Sequence, residues 1–362
     1  MSRVKKLKKT KSEEPEKEES QKVSYADSFT GSFSIPENKE ALLRILRISK
    51  LNRSSLHNLF KMRSGSKVLK KQFVLFRSIW PFPEGPGDFA DRAACYNLEG
   101  VWKQALHLVN DPEEAKRYLA LVNHQHLVSE LQEGDPQWAG SWMPVLRFQA
   151  RCIAFSRRKT DTRVVAVRQS TRRTVSSPMK GKGEDEAIVN AALVLLLNAA
   201  ASLVRSSQCE FSMVRVPFIA KFNHAKFKAL TDGALWVRST EAIRGIIEVK
   251  KARRSKIGDK VTMQEAAELV GWIMNSQPWE EAFSGYKCLI SEDGDEVWLL
   301  FAKPTETYAA YLRDGTLDDD ALLTVERYGP YKVDDDGDML HLLYAVVAIY
   351  LQAVAFDNVS QA

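Results

Sequence analysis

Ile246-Ile247-Glu248-Val249-Lys250 is the segment whose residue types and spacing point most directly to chemistry. In an extended strand successive side chains alternate, so Glu248 and Lys250 share one face while Ile247 and Val249 take the other. Asp232 lies sixteen residues earlier, in an Asp-Gly turn signal, which leaves room for a short hairpin that brings it beside Glu248. Two carboxylates on adjacent strands make a hard oxygen site suited to Mg²⁺, or Mn²⁺ in its place. A bound metal of that kind lowers the pKa of its water and neutralises phosphate charge. A neighbouring lysine orients the water or stabilises the charge that develops on the phosphate. Together these groups would make a metal-dependent phosphodiesterase.

The elements that must position these groups follow from periodicity. Glu184–Val204 reads as a long Ala- and Leu-rich helix with acids in its first turn. Strands are expected at Phe218–Phe222, Lys226–Leu230, Ala234–Arg238 and Ala242–Lys250, with Pro217 at a strand start, where proline is tolerated. Met263–Ile273 reads as a helix, Tyr286–Ser291 and Glu296–Ala302 as a hairpin around Asp293-Gly294, Leu322–Tyr331 as a strand and Asp338–Phe356 as a closing helix. The alternation of strands and helices predicts a mixed α/β layer. Upstream, Glu37–Arg63 has mostly helical spacing and Trp80–Gly87 is a proline- and glycine-rich loop. Leu98–Val109 is a helix, and Asp111-Pro112-Glu113-Glu114 starts the next. Arg147–Phe155 fits helix or strand. The expected organisation is a charged tail at 1–23, a mostly helical region at 24–150, a basic connector at 151–183, an α/β domain at 184–356 and a short tail at 357–362.

Within that frame the residues resemble the PD-(D/E)xK nuclease superfamily, the restriction-endonuclease-like fold, and more closely uncharacterised fungal proteins of that superfamily. The resemblance is carried by Asp185–Leu193, Leu230-Thr231-Asp232-Gly233, Ile247–Lys250, Met263–Ala267 and Leu323–Tyr331, over about residues 184–356. It implies a central mixed sheet flanked by helices and Mg²⁺-dependent cleavage of DNA or RNA. It also implies Asp232, Glu248 and Glu186 as metal ligands, Lys250 as the catalytic lysine and Gln264 as a residue reaching the site from the following helix. Thr231 stands where the superfamily pattern has proline, and Glu268 where the glutamine-bearing branch has tyrosine. The rival reading is a nuclease-like fold used only to bind nucleic acid or protein.

Charge is uneven along the chain. The net charge is +6, yet Glu292–Asp338 holds fourteen acids against four bases. Arg157–Arg173 carries seven bases and one acid, and Arg244–Lys256 six bases and one acid. Arg157, Arg158, Lys159, Lys251, Arg253 and Arg254 are therefore the expected nucleic-acid contacts, with the acidic segment facing away. Met1–Lys22 is charged with no apolar centre, so no secretory signal is expected. Its Lys5–Lys11 run resembles a nuclear import signal. The most apolar stretch, within Glu186–Val204, is bounded by charges and reads as core, not as a membrane span. Cys95, Cys152, Cys209 and Cys288 are scattered without a CxxC pair, which suggests a reducing, intracellular compartment. With 44% hydrophobic and 27% charged residues the chain has a globular composition. It has neither a Walker loop nor a GxGxxG, so no nucleotide cofactor is expected. His124 and His126 read as surface, Asp334–Asp338 as a loop before the last helix, and Trp80, Trp102, Trp138 and Trp142 as packing residues. Tyr308 and Tyr311 are candidates to line a groove, with no role assigned.

Overall fold

A computed structural model of the chain describes residues 33–157, 182–276 and 282–361, without the side chains of 157, 182–185 and 359–361. The strands in chain order are β1 (Ser78–Ile79), β2 (Cys209–Ser212), β3 (Pro217–Lys221), β4 (Lys226–Leu230), β5 (Gly233–Val237), β6 (Ile243–Lys250), β7 (Lys287–Asp293), β8 (Glu296–Lys303) and β9 (Leu323–Lys332). The helices are α1 (Lys39–Ile48), α2 (Lys70–Val74), α3 (Phe89–Arg92), α4 (Glu99–Asn110), α5 (Glu113–Val122), α6 (Met143–Arg157), α7 (Lys182–Ser202), α8 (Arg254–Ile257), α9 (Asp259–Asn275), α10 (Glu306–Asp314) and α11 (Asp336–Gln361).

Seven strands form one mixed sheet in the order β1-β9-β8-β7-β6-β5-β2, while β3 and β4 make a separate two-stranded ribbon. The pairs β6–β7 and β1–β9 are parallel and the rest of the sheet is antiparallel. A parallel neighbour cannot be reached by a tight turn. The chain between β6 and β7 supplies the crossover, with α8 and α9 on it. From Arg244 to Val249 every residue of β6 is buried. Such a strand, covered on both faces, reads as a nearly continuous apolar run in which a carboxylate stands out.

Alternation along the strands divides the interior into two cores. Ile247, Val249, Cys288, Ile290, Leu299 and Phe301 face α4 to α7 and α11. Ile246, Leu289, Trp298, Leu300 and Ala302 face α1, α2, α9, α10 and the ribbon. Residues before and after the basic connector share both cores. Tyr118, Trp142 and Leu146 pack with Leu193, Leu197 and Val346 in the first; Leu42, Phe73 and Phe76 pack with Phe218, Ala267 and Leu300 in the second. The N-terminal region even adds β1 to the sheet edge, Ser78 opposite Leu323. Among the described residues, neither the chain up to the end of α6 nor the chain from the start of α7 therefore has a core of its own.

Several elements differ from the sequence reading. The helix expected over Glu37–Arg63 stops at Ile48, where the Ser49 hydroxyl bonds back to the Ile45 carbonyl (2.6 Å) and Lys50 takes a left-handed backbone (φ 57°). Ser55 and Asn58 then close a reciprocal cap on a short 3-10 turn. Arg147–Phe155 belongs to α6 and is helical. The helix α10 had no counterpart in the sequence reading, although Thr305 caps its start by accepting from the Tyr308 N–H (3.1 Å) and Gly315 ends it at φ 76°. Tyr308 and Tyr311 line no groove. They are fully buried and donate to the Phe76 and Leu75 carbonyls, both at 2.6 Å, tying α10 to the end of α2. The residues 336–358 of α11 are long and apolar enough to cross a membrane, and most of that stretch is buried in the first core, as a central packed helix would be.

Candidate active site

Thr231 and Asp232 link β4 to β5. The Asp232 backbone N–H donates to the Ile247 carbonyl (2.9 Å), and its Oδ2 accepts from the Val249 N–H (3.2 Å). These two bonds bracket Glu248 and hold Asp232 against β6. Gly233 makes the approach feasible, because a Cβ there would run into the Ser212 carbonyl oxygen of β2. Arg215, in the link between β2 and β3, donates to Asp232 Oδ1 (2.9 Å) and to the Thr231 carbonyl (3.1 Å). Asn190 of α7 donates to the Asp232 carbonyl (3.1 Å).

Glu248 and Lys250 point to the α9 side of β6. Glu248 is fully buried. Its Oε1 accepts from Lys250 Nζ and from Gln264 Nε2, the latter at 2.5 Å. The Lys250 ammonium also donates to the Val249 carbonyl (2.9 Å) and to Glu186 Oε1 (3.4 Å) on the first turns of α7. Glu186, Asp232, Glu248, Lys250 and Gln264 are thus brought together from three elements and the β4–β5 link.

Glu268 joins them, which the sequence reading did not foresee. It lies one helical turn after Gln264 on α9, is fully buried, and accepts from Gln264 Nε2 at 2.9 Å. Residues four apart share a helix face, so Glu268 follows Gln264 toward the site once α9 is packed on β6. At the sequence level Glu268 registered only as a departure from the tyrosine of a related pattern.

Burial and mutual repulsion set the charge state. Burial, then the neighbouring Glu268, raises the Glu248 carboxyl well above its ordinary value, against the opposing pull of Lys250. Burial likewise pushes Glu268 up to about 8. For Lys250, burial favours the neutral amine, but Glu248, Glu268 and Asp232 together outweigh it and raise the ammonium above its ordinary value. Two buried carboxyls sharing one lysine retain a proton that an added cation would displace. Glu248 Oε2 and Glu268 Oε2 are buried without a hydrogen-bond partner. The donor set is entirely oxygen and has more acids than cations, which suits a hard divalent ion. Its oxygens are not gathered as a finished cage: among the described residues no three His, Cys, Asp or Glu side chains are grouped to hold a metal. Lys250 and Arg215 hold some of these oxygens instead.

The expected basic surface needs correction. The Arg254 side chain, largely covered, is held between Asp293 (2.7 Å) and Glu265 (2.5 Å) and lies over the Trp298 ring. Arg253 forms a two-pronged pair with Asp295, both bonds 2.6 Å. Arg244 is buried beside Asp357 and the Phe356 ring, and Lys256 donates to the Ser156 carbonyl (2.8 Å). Lys251 remains exposed. The side chain of Arg157, together with Arg158, Lys159 and the rest of that cluster to Arg173, lies outside the described residues.

The acidic segment does not face away from the site. Asp293 is the register neighbour of Lys250 across β6–β7, and Glu292, Asp293 and Asp295 are buried. Burial raises Asp293 to about 6 against the pull of Arg254. Farther along, Asp335 Oδ1 accepts from the Asp338 N–H (2.9 Å) at the start of α11, so this loop caps the helix. His124 and His126 lie near the surface, Trp80 and Trp142 are buried, and Trp102 and Trp138 pack against the first core.

Comparison of the chain with family models, with curated proteins and with solved structures finds no match.

Proposed function

We propose that this chain is a metal-dependent nuclease of the PD-(D/E)xK type, hydrolysing phosphodiester bonds of DNA or RNA with Mg²⁺ or Mn²⁺. The observation that carries the reading is the convergence of Glu186, Asp232, Glu248, Lys250 and Gln264, drawn from α7, the β4–β5 link, β6 and α9, on one acid-rich point. Asp232, Glu248 and Glu186 would hold the ion, with Glu268 behind them. When bound, the ion would acidify a water and neutralise phosphate charge. Lys250, whose ammonium already spans Glu248, Glu186 and the Val249 carbonyl, orients the attacking water or holds a phosphate oxygen. Gln264 fixes the Glu248 carboxylate by donating to it. Arg215 steadies Asp232.

A second reading, a nuclease-like fold that binds without cutting, is favoured by one observation. Lys250 and Arg215 already hold oxygens of Glu248 and Asp232. Metal-dependent melting tests the first reading. A ligand that binds only the native state raises stability by mass action. Millimolar Mg²⁺ or Mn²⁺ should raise the melting temperature of the wild type, and Glu248→Gln should abolish that rise. A wild type whose melting ignores both ions contradicts a metal site here.

A further inference from the structure

The β3–β4 ribbon stands outside the main sheet, and its two faces differ in kind. Phe218, Ala220, Phe222, Phe227 and Ala229 point inward and are buried in the second core. The packing on α9 is close: a Cβ at Gly271 would press on Phe218, and Asn275 donates to the Ile219 carbonyl (3.2 Å). The outward face carries Pro217, Ile219 and Lys221 on one strand and Lys226 and Lys228 on the other, all exposed, with Ile219 opposite Lys228 and Lys221 opposite Lys226. No acidic residue occurs anywhere from Met213 to Leu230.

The neighbouring segment has the same character. From Phe60 to Phe76 there is again no acid, and of its bases Lys61, Arg63, Lys67 and Lys71 are exposed and Lys70 is half-buried. It lies directly against the ribbon, since Gly65 packs on Ala229. Phe60, 80% exposed, stacks on His224 in the turn between β3 and β4, centroids 4.7 Å apart. At its other end the ribbon is fastened to the candidate active site. Arg215 precedes β3, Asp232 follows β4, and the two are paired.

We infer that the outer face of the β3–β4 ribbon is the surface on which the phosphodiester backbone of a nucleic acid docks, and that it leads the strand to Asp232. This rests on the nuclease reading only in taking nucleic acid as the ligand. Charge complementarity carries it: exposed lysines on an acid-free, rigidly backed ribbon face a polyanion favourably. Length agrees, as five strand residues span about 17 Å, the rise of about five nucleotides at about 3.4 Å each. A two-stranded ribbon also fits the major groove of a duplex, whereas the Phe60–His224 stack offers an aromatic face to unpaired bases. Lys221 also borders a cleft with Glu306 and Arg313 of α10, so Lys226 and Lys228 are the more open contacts.

The test measures binding of labelled duplex and single-stranded DNA and RNA across a salt series, in chelator so that nothing is cut. Three proteins are compared: wild type, Lys221→Gln/Lys226→Gln/Lys228→Gln, and a control with the same charge loss elsewhere, Lys103→Gln/Lys116→Gln/Lys332→Gln. Each phosphate contact adds about 0.9 to the log–log salt slope on duplex and about 0.7 on single strands. The ribbon variant should bind more weakly, with a slope smaller by about 2 to 3, while the control follows the wild type and all three melt alike. The stronger probe tells duplex from single-strand docking. A ribbon variant that binds like the wild type overturns the docking surface and leaves the nuclease reading standing. A wild type that binds none of the probes at low salt overturns both.

Discussion

Glu268 has the most informative titration in the site. Its folded pKa, about 8, lies above the ordinary 4.5 because burial disfavours the anion. The folded protein therefore holds a proton that the unfolded chain gives up above pH 4.5, so stability falls as pH rises toward 8. In chelator the wild type should melt at progressively lower temperature from about pH 5 to about pH 8, and Glu268→Gln should flatten that decline and melt higher at the alkaline end. Equal pH dependence in the two proteins would mean that Glu268 is not held protonated. Glu248 and Lys250 could be read from sequence because alternation along one apolar strand fixes a shared face, and Asp232 because its Asp-Gly turn signal stands a hairpin's length before that strand. Glu268 could not, since nothing in a helical pattern says that a buried face carries an acid until the strand beneath it is known.

Between elements, a second polar network runs beside the first along the β6–β7 and α9 contact. Arg254 reaches Glu265 on α9 and Asp293 on β7, and the three side chains are almost wholly buried. Removing one partner of a buried ion pair leaves an uncompensated charge, at a cost of about 3–5 kcal/mol. Arg254→Ala should lower unfolding stability by that order in urea melts, whereas Lys251→Ala, at an exposed position, should stay within about 0.5 kcal/mol of wild type. Comparable losses in the two variants would contradict the structural role of Arg254. The charge pattern misled here for a physical reason. A cluster of bases shows its charge in sequence but not its partners, which for Arg254 lie 11 and 39 residues away. Strand and helix periods, by contrast, are local, and β4, β6, β8, β9 and α9 fall within a few residues of where the apolar spacing puts them.

At the scale of the molecule the chain is an α/β protein with a seven-stranded mixed sheet covered by helices on both faces. The mixed layer was legible from the alternation of strand and helix patterns. The joint ownership of both cores was not, because an amphipathic helix shows that it has a buried face without showing what covers it. That sharing has a consequence for fragments. Residues 182–362 alone would expose the apolar surface that Tyr118, Trp142, Leu146, Phe73 and Phe76 cover in the whole chain. The fragment should therefore lack a cooperative melt and recover one when co-expressed with residues 1–181. A sharp melt of the fragment by itself would contradict the shared core. Catalysis at this site is tested most directly by a cleavage assay of wild type, Glu248→Gln and Lys250→Ala on single- and double-stranded DNA and RNA, with Mg²⁺, Mn²⁺ or chelator. The wild type should show metal-dependent cleavage, reduced about a hundredfold or more in both variants, in line with removal of a key electrostatic group, while both still melt cooperatively. A pure wild type that cuts none of these substrates with either metal would contradict the nuclease reading.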